Sequence, residues 1–205
     1  MYCYTDCLYA QSSSAKEDSS HLKKVRYVIW YTPALSTDIN GLAIGIAPVP
    51  HAPYKHLTVR GVNIDVNPFF GAMSLIWVGA ESIVAPFVSD TTDVWNDKYM
   101  GKEESLTTVH GVNLSPTNLW ADVNGLDLGI VVRLSYQFNG IAISGLMSVT
   151  NRFNGIQIGG LRNKTTNGRG VMLGLFNNAK NFKGIQIGLL NSIGNLTLPF
   201  LNVKL

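Results

Sequence analysis

Cysteine is nearly missing from this chain. Cys3 and Cys7 are all it has, and both fall in the first ten positions. No further cysteine and no paired histidine completes a metal site around them. The rest of the chain therefore has no disulfide framework. Charge is scarce as well. Asp, Glu, Lys and Arg make up 14% of the residues, against 46% hydrophobic, which excludes a charged, solvated, disordered chain. The net charge of +3 is small, and only Lys23, Lys24 and Arg26 cluster. Without an aromatic stacking platform beside them, nucleic acid is not an expected partner. Long apolar helices are missing too. Residues 66–80 carry no charge, but they number 15 and Glu81 ends them, short of the roughly 20 that span a bilayer.

Catalytic constellations are equally thin. The four histidines, His21, His51, His56 and His110, show no ligand spacing, and Pro53 separates the one close pair. Ser144 sits in Ile143-Ser144-Gly145, which is not a nucleophile elbow. Gly159-Gly160 and Gly168-Arg169-Gly170 lack the Lys-Ser/Thr ending of a phosphate loop. Glu103-Glu104 and the Asp90/Asp93 pair lie in a polar loop, and Asp127 is the only acid after Asp122, so the array offers no carboxylate pair for glycoside chemistry. Thr150, Thr165, Thr166 and Thr197 do not align into the flat ladder of an ice-binding face. The expectation is a protein that is not an enzyme, with no cofactor and no metal.

What is present is a repeat. A glycine, an apolar residue, any residue and an apolar residue recur at Gly41, Gly61, Gly111, Gly125, Gly140, Gly155, Gly170 and Gly184. From Gly111 the steps are 14, 15, 15, 15 and 14 residues. A fixed period of this kind means stacked units, none of which buries its apolar face alone. Residues 126–138 alternate apolar and polar, the period of a strand.

Two all-β architectures fit. In a parallel β-solenoid each repeat is one coil, identical positions stack about 4.8 Å apart, and Asn163, Asn177 and Asn191 can form a ladder. In an antiparallel meander or outer-membrane β-barrel each repeat is one strand, and Asn139-Gly140 and Asn154-Gly155 are hairpin turns. The solenoid is preferred, because glycine returns at one place in a single unit, whereas a meander repeats as a hairpin. Arg162 and Lys164 would also face lipid in the barrel, at about 2–4 kcal/mol each. The expected faces are Ile156, Ile158, Ile185 and Ile187 inward, with Gln157 and Gln186 outward.

Residues 1–24 read as a signal remnant and polar leader, since Leu8-Tyr9-Ala10 before Gln11 resembles a cleavage site. Residues 25–205 read as one β-repeat domain with an insertion at about 66–104. The insertion supplies the candidate interaction residues Phe69, Phe70, Leu75, Ile76, Trp77 and Phe87, because an apolar cluster on a self-sufficient scaffold marks an interface. The partner classes it fits are a cell-envelope component or a membrane surface. The closing segment, Leu198-Pro199-Phe200-Leu201-Asn202, breaks the repeat, as the end of a stack should.

The units Gly155-Ile156-Gln157-Ile158-Gly159 and Gly184-Ile185-Gln186-Ile187-Gly188-Leu189-Leu190-Asn191, closed by Leu198-Pro199-Phe200, carry a resemblance. The chain resembles the tandem surface-repeat family of secreted bacterial proteins, with runs of G-[IVL]-Q-[IL]-G-L-x-N and a Leu-Pro-aromatic tail. Gln157 and Gln186 fit, whereas Asp127, Ala142 and Met172 depart at the Gln position. The resemblance implies export to the outer membrane, cell surface or periplasm. It supplies no catalytic residue.

Overall fold

The structure is a computed structural model that describes residues 24–32, 37–46, 57–66, 107–119 and 121–205. The strands are β1 (Lys24–Thr32), β2 (Thr37–Ile46), β3 (Leu57–Val66), β4 (Thr107–Leu119), β5 (Ala121–Ser144), β6 (Met147–Gly159), β7 (Arg162–Leu173), β8 (Phe176–Ile193) and β9 (Leu196–Lys204). They pair in chain order within one sheet. From β1 to β8 every pairing is parallel, and repeat glycines sit opposite repeat glycines, as in Gly41–Gly61–Gly111–Gly125 and Gly140–Gly155–Gly170–Gly184. Each repeat is therefore one coil of a parallel β-solenoid. The antiparallel meander and the outer-membrane barrel are overturned by this pairing, and Asn139-Gly140 and Asn154-Gly155 bend a coil rather than close a hairpin.

The fixed glycine has a steric cause. Gly155 holds φ at 134°, and a Cβ there would overlap the carbonyl oxygen of Gly140 in the coil before it. Only glycine accepts both the angle and the approach. In β1 the same register position is Val28, at φ 78°. Among the described residues no earlier coil lies against it, so a side chain fits.

The faces are the reverse of those expected. Gln157 and Gln186 are buried inside the coils with Asn63, Asn113, Asp127, Ala142 and Met172, while Ile141, Ile143, Ile185 and Ile187 are exposed. Ile156 and Ile158 are half-buried on the same outer side. The apolar half of the interior comes from the position two before each glycine: Ile39, Val59, Val109, Val123, Phe138, Phe153 and Phe182. Phe138 stacks on Phe153 at 6.1 Å between centroids, and Phe153 on Phe182 at 6.2 Å. Gly168 stands where the column lacks a phenylalanine, and a Cβ there would lie 2.7 Å from Phe182 and 3.0 Å from Phe153. The missing side chain lets rings two coils apart meet.

The polar half of the interior is hydrogen-bonded into a network. Asn63 Nδ2 donates to Asn113 Oδ1 at 2.7 Å, and Asn113 Nδ2 donates to Asp127 Oδ1 at 2.8 Å. Asp127 Oδ2 accepts from Asn118 Nδ2 at 2.7 Å and from Arg133 Nε. The rest of the Arg133 guanidinium donates to Ser135 (2.9 Å), Thr150 (3.0 Å) and Ser148 (3.3 Å), and it lies over the Phe138 ring. Asp127 and Arg133 are both sealed from solvent. Toward the C-terminus the expected asparagine ladder is present: Asn163 Nδ2 donates to Asn177 Oδ1 and Asn177 Nδ2 to Asn191 Oδ1, each at 2.8 Å. Thr150 and Thr165 do align, contrary to the sequence reading, but they face inward.

Asp65, also inside, has a displaced titration. Burial pushes its carboxyl above the ordinary carboxylate value, and the charge of Asp127 adds to the effect against the hydrogen bond from Asn63 at 2.8 Å. A raised folded value means that the native state holds the proton more tightly than the unfolded one. Stability from this group is fullest below the unfolded value and falls as pH rises through the interval up to the folded value. Asp65→Asn is expected to raise the urea midpoint at neutral pH and to flatten its decline as pH rises above the ordinary carboxylate value of about 4. An unchanged decline in the variant would assign it to another group.

After Gly194, which takes φ 58°, the chain reverses, and β9 pairs antiparallel with β8. Asn202 lies opposite Gln186, is buried, and donates to the Asn191 carbonyl at 3.1 Å. The reversal closes the last coil, and Pro199 in this edge strand offers no N–H to another chain.

Candidate interaction face

The outer side of the segment after each glycine carries the most regular pattern in the molecule. The first position after the glycine forms a ladder through Leu42, Val62, Val112, Leu126, Ile141, Ile156, Val171 and Ile185. The third forms another through Ile44, Ile64, Leu114, Leu128, Ile143, Ile158, Leu173 and Ile187. Both are prolonged at the two ends. Ile29 and Tyr31 of β1 sit opposite Leu42 and Ile44, and Val203 and Leu201 of β9 sit opposite Ile185 and Ile187. No position on either ladder is buried. Ile143 keeps 38% of its surface, Ile187 47%, and Ile130, at the flank of the same side, 71%. Ile44, Ile141 and Ile185 are exposed as well, and the half-buried members, such as Ile156 and Ile158, are covered by ladder neighbours about 4.8 Å away.

Strand alternation explains why the face exists. In residues 141–144, Ala142 and Ser144 point in, so Ile141 and Ile143 must point out. A period of two cannot say which set is inside. In the segment after each glycine the smaller or hydrogen-bonding side chains turn in, joined by Met172, and the bulkier aliphatics remain outside. The opposite side of the coils is polar in the C-terminal half, where Asn151, Thr166 and Lys180 occupy equivalent outward positions. The molecule is therefore two-sided.

A polar rim borders the apolar face. The residue before each glycine points outward, and in the last coils it is Asn154, Arg169 and Lys183. Arg152 and Lys204 lie beside them. Two shallow grooves open here, one of about 360 Å³ along Arg152, Asn154, Asn167 and Arg169, the other of about 330 Å³ along Asn181, Lys183 and Lys204. Gly168 lines both, so the gap in the phenylalanine column creates them. Toward the N-terminus the rim is neutralised, since Arg60 pairs with Asp38 at 3.5 Å, and His110 lies 3.4 Å from Asn124.

The residues singled out by sequence fare unequally. Phe69, Phe70, Leu75, Ile76, Trp77 and Phe87 lie outside the described residues, as do residues 1–23 of the leader, His51, His56 and the Glu103-Glu104 and Asp90/Asp93 acids, whereas Lys24 opens β1. Ser144 is buried and lies 3.5 Å from the Ile158 carbonyl oxygen, with no histidine among its partners. Among the described residues no group of three or more His, Cys, Asp or Glu side chains is placed to hold a metal ion. No described helix is long and apolar enough to cross a membrane. The outer ladders were missed by the sequence reading although their signal was present: the positions flanking Gln157 and Gln186 are aliphatic in every copy. No protein-family model, curated protein or solved structure matches this chain.

Proposed function

We propose that this chain is a non-enzymatic, exported and surface-associated repeat protein whose solenoid serves as an interaction platform. The observation that carries the reading is the outer aliphatic face. A solenoid stabilises itself by stacking and interior bonding, and neither requires an aliphatic outer face left open to solvent through all the described coils. An apolar patch on this scale marks an interaction surface. The buried position of the ionic network agrees with a structural role, because no substrate reaches Asp127 or Arg133. Export is supported by the resemblance to secreted surface-repeat proteins and by the cleavage-like Leu8-Tyr9-Ala10.

The test is made in the native host. Fractionation is expected to place the protein with the cell envelope, and protease added to intact cells is expected to degrade it. Ile143→Asp together with Ile187→Asp should release it from the envelope fraction while β-sheet circular dichroism is retained. Recovery of the native protein in the cytoplasmic fraction, untouched by protease, refutes the reading.

A further inference from the structure

The geometry points to a lipid surface as the partner of the aliphatic face, with anionic headgroups held by the rim from Arg152 to Lys204; we propose that the solenoid lies flat on a bilayer rather than crossing it. The inference rests on the interaction reading above and specifies its partner.

Three observations favour lipid. The first is composition. Apart from Tyr31 at one end, both ladders are aliphatic from β1 to β9, with no polar side chain to fix the register of a partner. Protein interfaces retain polar groups even where they are most apolar, about 65% in homodimers. A lipid phase requires no register. The second is size. Ten rungs about 4.8 Å apart, two of them from β5, span about 43 Å, and the three residues from the first ladder to the second, at about 3.3 Å each, give about 10 Å of width. The two ladders thus cover about 430 Å², the size of a monomer's largest apolar patch at about 300–600 Å², which is often functional.

The third is charge. Arg169 and Lys183 each stand two residues from the first ladder, across their glycines, and Lys204 pairs with Gly184 at the same border. Of the two acids after residue 121, Asp127 is buried, and Asp122 stands two coils before Arg152 in the same column, where it accepts from the Gln137 amide at 2.8 Å; the border from Arg152 to Lys204 holds no acid. An apolar face beside a cationic border, with polar groups on the opposite side, is the arrangement by which amphipathic elements settle at the headgroup boundary. Here a sheet face stands in for the helix.

The purified full-length protein is to be tested by flotation with vesicles of phosphatidylcholine alone and of phosphatidylcholine mixed with phosphatidylglycerol. It is expected to float with both, more tightly with the anionic mixture, and added salt should remove that difference. Arg169→Gln and Lys183→Gln should each weaken binding to the anionic vesicles by about fivefold and leave the neutral vesicles unaffected. Ile143→Asp with Ile187→Asp should abolish flotation on both. If the aspartate pair unfolds the array, the two glutamine variants decide the matter, because they alter no packed column. Failure of the native protein to float overturns the lipid assignment. So does equal binding of the glutamine variants to anionic vesicles. Light scattering runs alongside: a stable dimer that does not float, and that the aspartate pair dissociates, assigns the face to a second copy. That outcome leaves the interaction reading intact.

Discussion

Asp127→Asn is expected to lower the stability of the solenoid by about 3–5 kcal/mol, the cost of leaving a buried charge without its partner. The substitution changes almost no volume. Asn113 and Asn118 lose a charged acceptor, and Arg133 is left as a buried cation whose remaining described partners are the hydroxyls of Ser135, Ser148 and Thr150 and the ring face of Phe138. Those hydroxyls do not neutralise it, and no solvent reaches it. Arg133→Gln alone strands the carboxylate in the same way. Both changes together remove both charges, and the double variant is expected to recover most of the loss, because a neutral polar pair suits an interior already lined with Asn63, Asn113 and Gln157. Urea midpoints of the four proteins give the coupling energy. If the double variant loses the sum of the two single losses, the pair does not act as a unit, and the network is a set of independent contacts.

The architecture was legible because the sterics that enforce it leave a mark on every coil. Glycine at one place in a 14- or 15-residue unit means that something other than water meets the backbone there, and the carbonyl oxygen of the preceding coil is what meets it. The Asn163–Asn177–Asn191 ladder was legible for the same reason, since equal spacing in a stacked array brings equal positions together. Inside and outside were not legible. Alternation fixes that Gln157 and Ile158 face opposite ways, and the usual assumption that isoleucine goes inside then selects the wrong set. The interior spends its polar side chains on one another, as Gln157 does by donating to the Ser148 hydroxyl at 2.9 Å and its carbonyl at 3.0 Å. The long alternation over 126–138 also concealed a break. The pairing register steps past Tyr136 and Asn151, so Phe138 lies inside although Leu126, in phase with it by a strict count of two, lies outside.

Gly155→Ala is expected to prevent the array from folding, while Gly129→Ala leaves it intact. Both glycines lie in the repeat, and propensity alone would favour alanine at either place. At Gly155 the backbone holds φ at 134°, which an L side chain adopts at a cost of about 1–3 kcal/mol. The new Cβ also overlaps the carbonyl oxygen of Gly140, a backbone atom that no rotamer change can move. Relief requires the two coils to separate, which breaks the ladders paired on both sides of the glycine. Strain and lost pairing together approach the total margin of a domain, about 5–15 kcal/mol. At Gly129 no such φ is imposed, and the nearest atoms to a Cβ, the oxygens of Ile143 and Ser115, are 3.7 Å away, ordinary contact distance. Alanine there restricts the unfolded chain and should be neutral or stabilising by up to about 1 kcal/mol. The comparison needs only circular dichroism and a thermal melt of each variant. A native-like melt for Gly155→Ala would show that the coils do not approach one another through the glycine column, and the steric account of the repeat would fail with it.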